Sequence, residues 1–342
     1  MHSCGKIKGC MNTENLVKSQ KPSILQAFIS GFNTTTNHIY LILLPVFIDL
    51  FIWFGPQFSF EKLLLPRIQE ISSLPGVDNS QFNDIMADYI ANLTELVKNL
   101  NLSVIIRTIP VGVPSLISSL SPTKNPIGTP IRFEISSINT LFVYIIAFSL
   151  IGIVLGSLFY QRSAQSVMKD YRKPSLSEFL IATLQVILLP VLLLIIFLMI
   201  SAPILMFVSL LSIISPAIGQ FALMSAMVII LWMIIPLYFT PQSIFLFRQN
   251  LFNSIMTSIS VVRFSLPGSA LFLLFAMVLS EGFNILWRVP PQDSWMLLVG
   301  ILGHAFFSTA ILLSSFYYLL DAAQFAQQIL IKQKDQIQKK ML

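Results

Sequence analysis

Three ionisable side chains lie inside long apolar runs of this 342-residue chain: Asp49 in FIDLFIWFGP, Glu281 in VLSEGFNILW and His304 in ILGHAFFSTA. Acids and imidazoles in such a setting are the residue types that relay protons or grip a polar solute. A charge at mid-bilayer costs about 2.5 to 3.5 kcal/mol, so these groups turn inward and find partners. Counted along their runs, Asp49 is about 12 residues from one end, His304 about 10 and Glu281 about five, which puts all three at a similar depth. They form a candidate intramembrane polar site. Asp49 and His304 meet if the first and last apolar runs pack together. Two chemistries compete for this set. One is a polar clasp that holds helices together; the other is a proton or solute site in a cavity. The clasp is the simpler reading, because a transport path needs more polar lining than these runs offer.

Other chemistry has few players. The sequence contains no HExxH, no GxSxG, no GxxxxGK[ST] and no cluster of Cys and His. His304 and Ser308 share a helix face and are a possible base and nucleophile, although two groups on one helix make a poor triad and nothing marks an oxyanion hole. Cys4 and Cys10, with His2, fall short of a metal-ligand set and fit a reducing compartment as free thiols. No metal or cofactor is expected. The basic residues form no patch suited to nucleic acid.

The elements that must position these groups follow from composition. With 55% of residues hydrophobic and 11% charged, lipid rather than water has to be the main solvent. The expected fold is all-α, a polytopic membrane bundle of about six transmembrane helices with added interfacial amphipathic helices. The spans are read at residues 37–57, 138–160, 179–202, 217–239, 267–287 and 294–320. Apolar text continues past the third span to Ile214, and Pro203 is the expected break, with 203–214 bending along the surface. Residues 22–35 read as a short interfacial helix with Ile24, Leu25, Phe28, Ile29 and Phe32 on one face, closing an N-terminal region 1–36.

Orientation follows from the basic residues. Four groups hold 14 Lys and Arg: the N-terminus, the loop Arg162 to Lys173, the loop with Arg248 and Arg263, and the tail 321–342. Arg288 stands alone opposite them once the long segment 58–137 is set aside. Both termini are therefore expected in the cytoplasm. The segment 58–137 lies on the other side and carries an amphipathic stripe (Phe82, Ile85, Met86, Tyr89, Ile90, Leu93, Leu96, Val97, Leu100) whose partner the spacing leaves open: the membrane surface, the shorter helix from Lys62 to Ile71, or another protein. After it, IRTIPVGVPSLISSL reads as an irregular turn touching the membrane and TPIRFEIS as an extended approach to the second span. Ser175 and Glu178 fit a capping box. Residues 241–264 read as one amphipathic helix on the inner surface, with Ile244, Phe247, Leu251, Ile255, Ile259 and Val262 as its stripe. Gly152 and Gly156 in GIVLG, with Ser149 and Ser157, fit close helix packing.

The layout LILLPVFIDLFIWFGP followed by a segment with IPVGVPSL resembles an uncharacterised group of bacterial six-span membrane proteins. The second half, PLYFTPQSIFLFRQNLFNSIMTSISVVR with two further spans and FYYLLDAAQ, resembles more loosely the six-helix membrane domain of some glycerophosphodiester phosphodiesterases, over residues 138 to 325. The resemblance implies a helical bundle in a bacterial inner membrane. The soluble phosphodiesterase domain has no counterpart in this sequence, so that activity is not implied. The functional expectation is a non-catalytic scaffold or accessory subunit of a membrane complex, with the bilayer and a membrane or cytoplasmic protein as partners. The alternative is a transporter or permease subunit for a lipid or small solute, using Asp49, Glu281 and His304.

Overall fold

The computed structural model describes residues 21–72, 80–108, 110–119, 122, 124–168 and 172–341; Cys4, Cys10, the Lys residues before Lys21 and the side chains of Phe82, Ile85 and Met86 lie outside what is described. The chain is an all-α, multi-pass membrane bundle. Five helices are long and apolar enough to cross a membrane, or six if the first bent pair counts as one span.

The bend falls at His38, between the short helix expected at 22–35 and the first span expected at 37–57. Helix α1 (Ile24–Asn37) and the following stretch, a 3-10 turn at Ile39–Ile42 continuing into α2 (Leu43–Phe54), meet at 89°. A local cause acts at the break. The hydroxyls of Thr35 and Thr36 bond back to the carbonyls of Gly31 and Phe32 at 2.9 and 3.1 Å, a habit that bends helices. Pro45 lies further on, in the first turn of α2, where a missing N–H is tolerated. The packed face of α1 follows its large residues only in part: Ile24 and Phe28 pack on the core, Phe28 stacking on Phe272. Ala27, Gly31, Thr34 and Thr35 are buried, whereas Leu25 and Ile29 are exposed. In lipid the large apolar residues have no need to hide, and small ones let backbones approach.

The buried face of α1 is laid on the last helix, α11 (Leu297–Met341). A Cβ on Gly31 would stand 2.2 Å from Ser314 Oγ and 2.6 Å from the Ala310 carbonyl. Thr34 Oγ1 meets the Tyr317 hydroxyl at 2.7 Å. α1 is therefore seated on the bundle rather than free at an interface. α11 has 45 residues and runs through the stretch expected as a tail from 321. Ala, Gln, Leu, Ile and Lys fill that stretch without Gly or Pro, so nothing stops the helix.

Helix α5 (Ile138–Val167) follows the long segment, and α6 (Leu176–Ile214) follows α5. The capping box at Ser175 forms: Ser175 Oγ accepts from the Glu178 N–H, and Glu178 Oε2 accepts from the Ser175 N–H at 3.0 Å. α6 carries both Pro190 and Pro203 in one 39-residue helix, about 58 Å long, so the break expected at Pro203 does not occur. A proline removes one backbone hydrogen bond, whereas ending a helix among apolar groups strands several. α6 pairs with α7 (Pro216–Ile234), and the buried residues of α6 all fall in its first half.

The single helix expected at 241–264 is two: α8 (Thr240–Phe247) and α9 (Leu251–Phe264). Arg248 ends α8 in the left-handed conformation at φ 51°. Its guanidinium is held by Glu178 at 3.4 Å and by the Arg172 carbonyl, and these contacts stabilise a backbone state that costs a non-glycine residue about 1 to 2 kcal/mol. α8 is not a surface helix, because Thr240 through Leu246 are all buried. Helix α10 (Leu266–Trp287) completes the bundle against α11.

The segment between α2 and α5 is ordered by short pairings. β1 (Gln57–Ser59) runs parallel to β2 (Arg132–Glu134), with Phe58 opposite Phe133. Buried Asn101 accepts from the N–H groups of Phe58 and Ser103 at 3.0 and 3.1 Å. The amphipathic α4 (Ser80–Asn99) packs on α3 (Glu61–Ser72), which gives its stripe a partner within the chain, although Tyr89 and Leu96 remain exposed.

Candidate functional site

Asp49 sits on the buried face of α2 with Ile48, Ile52 and Trp53, a spacing that follows the helical period. Its carboxylate is fully buried and accepts three hydrogen bonds. Oδ1 takes the Ser115 hydroxyl at 2.5 Å and the Ile117 N–H at 3.0 Å, and Oδ2 takes the Leu116 N–H at 3.1 Å. Ser115 Oγ in turn accepts from the Ser118 N–H at 3.1 Å, and Arg107 donates to Ser118 Oγ at 3.2 Å. Asp49 thus caps the loop that bears IPVGVPSL. One turn on, the Trp53 indole donates to the Gln292 carbonyl at 2.9 Å, and its own carbonyl accepts from Asn125 Nδ2 at 3.1 Å.

The loop inserts into the bundle instead of touching its edge. Val111, Val113, Leu116 and Ile117 are buried to within 1% of complete. The two α5 glycines make the room, and here the expected helix-to-helix contact is corrected. A Cβ on Gly152 would fall 2.2 Å from the Ile106 carbonyl, and one on Gly156 would fall 2.8 Å from the Val111 carbonyl. Their neighbour is loop backbone, which a membrane tolerates only where protein encloses it and every polar group is satisfied. The Asp49 carboxylate and the Thr108 hydroxyl, which donates to the Val111 carbonyl at 2.6 Å, provide part of that satisfaction.

His304 and Glu281 do not join Asp49. His304 Nδ1 lies 2.9 Å from Asn284 Oδ1; with the amide oxygen as acceptor, Nδ1 carries the proton and Nε2 is a bare acceptor. Nε2 is buried without a partner, and so is the Trp287 indole N–H. The His304 and Trp287 residues line a small cleft between α10 and α11 with Ser280, Phe283, Asn284, Phe307, Ser308 and Ile311. Glu281 is exposed and outside this cleft. Ser308 donates to the His304 carbonyl at 2.6 Å, so its hydroxyl is engaged with backbone and the Ser and His pair of a hydrolase is not assembled. Arg107 is within electrostatic range of both Asp49 and His304, and Arg288 of His304. Among the described residues no three His, Cys, Asp or Glu side chains converge as metal ligands.

A second polar centre was not foreseen from the pattern. Gln242 on α8 donates to Ser315 on α11 at 3.3 Å. Ser258 on α9 donates to the Pro236 carbonyl at 2.6 Å and accepts from the Phe239 N–H at 3.1 Å. Ser269 links Ser265 to the Tyr318 hydroxyl at 3.0 and 3.2 Å. The signal was available in the four-residue steps Ser254 to Ser258 and Ser265 to Ser269, which mark an inward face by small polar side chains, while the large apolar stripe drew the reading outward.

Comparisons of the chain with protein-family models, with curated proteins and with solved structures give no match.

Proposed function

We propose that this chain is a non-catalytic integral membrane protein that acts as a scaffold or accessory subunit of a membrane complex. The observation that carries the reading is the fate of the ionisable groups. Asp49 is taken up by three hydrogen bonds from its own loop, His304 is tied to Asn284, and Glu281 stands apart. A transport path needs such groups around a common aqueous route, and these three are spread over separate environments.

The distribution of Lys and Arg supports both termini in the cytoplasm, and the resemblance supports a bacterial inner-membrane location. The membership favoured by the residues quoted above is the uncharacterised six-span bacterial group, with the looser likeness to phosphodiesterase membrane domains. Exposed Tyr89 and Leu96 on α4 support that helix as a docking element for another membrane or periplasmic protein. The test is a photo-crosslinking amino acid at position 89 or 96 in cells. A discrete protein adduct is expected; adducts to lipid alone at both positions overturn the docking role.

A second reading has one specific observation in its favour. His304 and Trp287, whose Nε2 and indole N–H are unpaired, line one cleft, which suits a transporter or permease subunit for a lipid or small solute. Asp49 and Glu281 have no part in that version.

A further inference from the structure

We propose that the cleft between α10 and α11 binds a single hydroxyl group, which accepts from the Trp287 indole N–H and donates to His304 Nε2. The inference stands apart from the scaffolding reading and gives a ligand chemistry to a site that reading leaves idle. The argument begins with two orphaned atoms. A buried polar atom without a partner costs about 1 to 3 kcal/mol, and here an unpaired donor and an unpaired acceptor belong to residues that line the same small space. His304 is 6% exposed and fixed by Asn284, so its acceptor is held in place before any ligand arrives.

Donor and acceptor together select the ligand. A carbonyl or ether satisfies only the indole, an ammonium only the imidazole, and a hydroxyl satisfies both. The void is close to the size of one water molecule, which fits one OH group and leaves no room for a phosphate. Around it the walls turn apolar. Phe283, Phe307 and Ile311 are half-buried, and the Phe283 and Phe307 rings lie tilted at 33° with centroids 3.8 Å apart. The cleft suits an alcohol whose carbon skeleton lies along the aromatic wall. A lipid alcohol and a soluble polyol share this chemistry.

The test uses the full chain in detergent micelles with 15N-labelled tryptophan, the Trp287 indole signal being assigned by its loss in Trp287→Phe. The probes are dioctanoylglycerol, its 3-O-methyl ether and free glycerol. Dioctanoylglycerol is expected to shift the Trp287 indole signal saturably, with the ether at least about tenfold weaker because His304 Nε2 is then unmet. A matching response to free glycerol identifies a soluble polyol as the source; a response to the diacylglycerol alone identifies a lipid. Retention of dioctanoylglycerol in native mass spectrometry is expected to fall about tenfold in Trp287→Phe, which keeps an aromatic ring on the wall, and in His304→Phe. No shift with any probe, or equal responses to the alcohol and its ether, overturns the proposal and leaves a site for water alone.

Discussion

Replacing Asp49 by Asn changes one atom of the carboxylate into a donor, directly against three donors that converge on it. In the native protein those are the Ser115 hydroxyl and the N–H groups of Leu116 and Ile117, at 2.5 to 3.1 Å. A hydrogen bond to a charged group contributes about 1.5 to 3 kcal/mol, and an orphaned buried donor costs about 1 to 3 kcal/mol. Polar pairs in membranes average nearer 0.6 kcal/mol, because the chain unfolded in lipid finds substitutes. Over three hydrogen bonds the two limits bracket the loss for Asp49→Ala at about 2 to 9 kcal/mol. Asn keeps one acceptor, so Asp49→Asn should lose about 2 to 3 kcal/mol, and Ser115→Ala, which removes one donor, about 1 kcal/mol. The assay is reversible unfolding by steric trapping in bicelles, read beside limited proteolysis of the loop at 102–118. The expected order of damage is Asp49→Ala, then Asp49→Asn, then Ser115→Ala, with the loop becoming cleavable in the first two. An Asp49→Asn protein within about 0.5 kcal/mol of wild type, with its loop still protected, would refute the clasp.

Further outcomes follow from the same geometry. Gly152→Val and Gly156→Val push a side chain into the Ile106 and Val111 carbonyls; overpacking of about 1 to 3 kcal/mol should expel the loop and raise its protease sensitivity while the helix content by circular dichroism stays unchanged. Gly31→Val should detach α1 from α11, seen as loss of a disulfide engineered between the two helices, because Ser314 and Ala310 lie within 2.6 Å of the new Cβ. Arg248→Gly and Arg248→Ala both lose the contact with Glu178, but Gly accepts φ 51° freely; the Gly variant should be the more stable in thermal denaturation by about 1 kcal/mol. Pro203→Ala restores a helical hydrogen bond inside α6 and should raise the melting temperature without moving the α6–α7 hairpin, as measured by spin-label distances.

The spans themselves were legible because lipid demands long apolar runs, and those between residues 138 and 320 recur in the structure as α5, α6, α7, α10 and α11. The capping box at Ser175 was legible for a similar reason: two side chains three residues apart carry the whole device. Depth was harder. Asp49 and His304 lie at a similar level along their runs, but which helix faces which depends on the 89° angle between α1 and the first span and on a loop that enters the bundle between α2 and α5. Neither is visible in hydropathy, since Val, Pro and Gly in IPVGVPSL suit an enclosed loop and an exposed turn equally. The inward face of α1 is only partly its stripe of large apolar residues, since Ile24, Phe28 and Phe32 are half-buried while Leu25 and Ile29 face outward. In lipid large apolar residues can go outward, as exposed Leu25 and Phe252 show, and Gly31, Ser254 and Ser258 go in.

The most direct test of the scaffolding reading is native mass spectrometry of the protein released gently from its own membranes. A stoichiometric protein partner, retained in Asp49→Asn at conditions where the fold persists, is the result expected. A lone chain carrying a small solute, with that solute lost in Asp49→Asn, would contradict the account and place the buried carboxylate in a transport path.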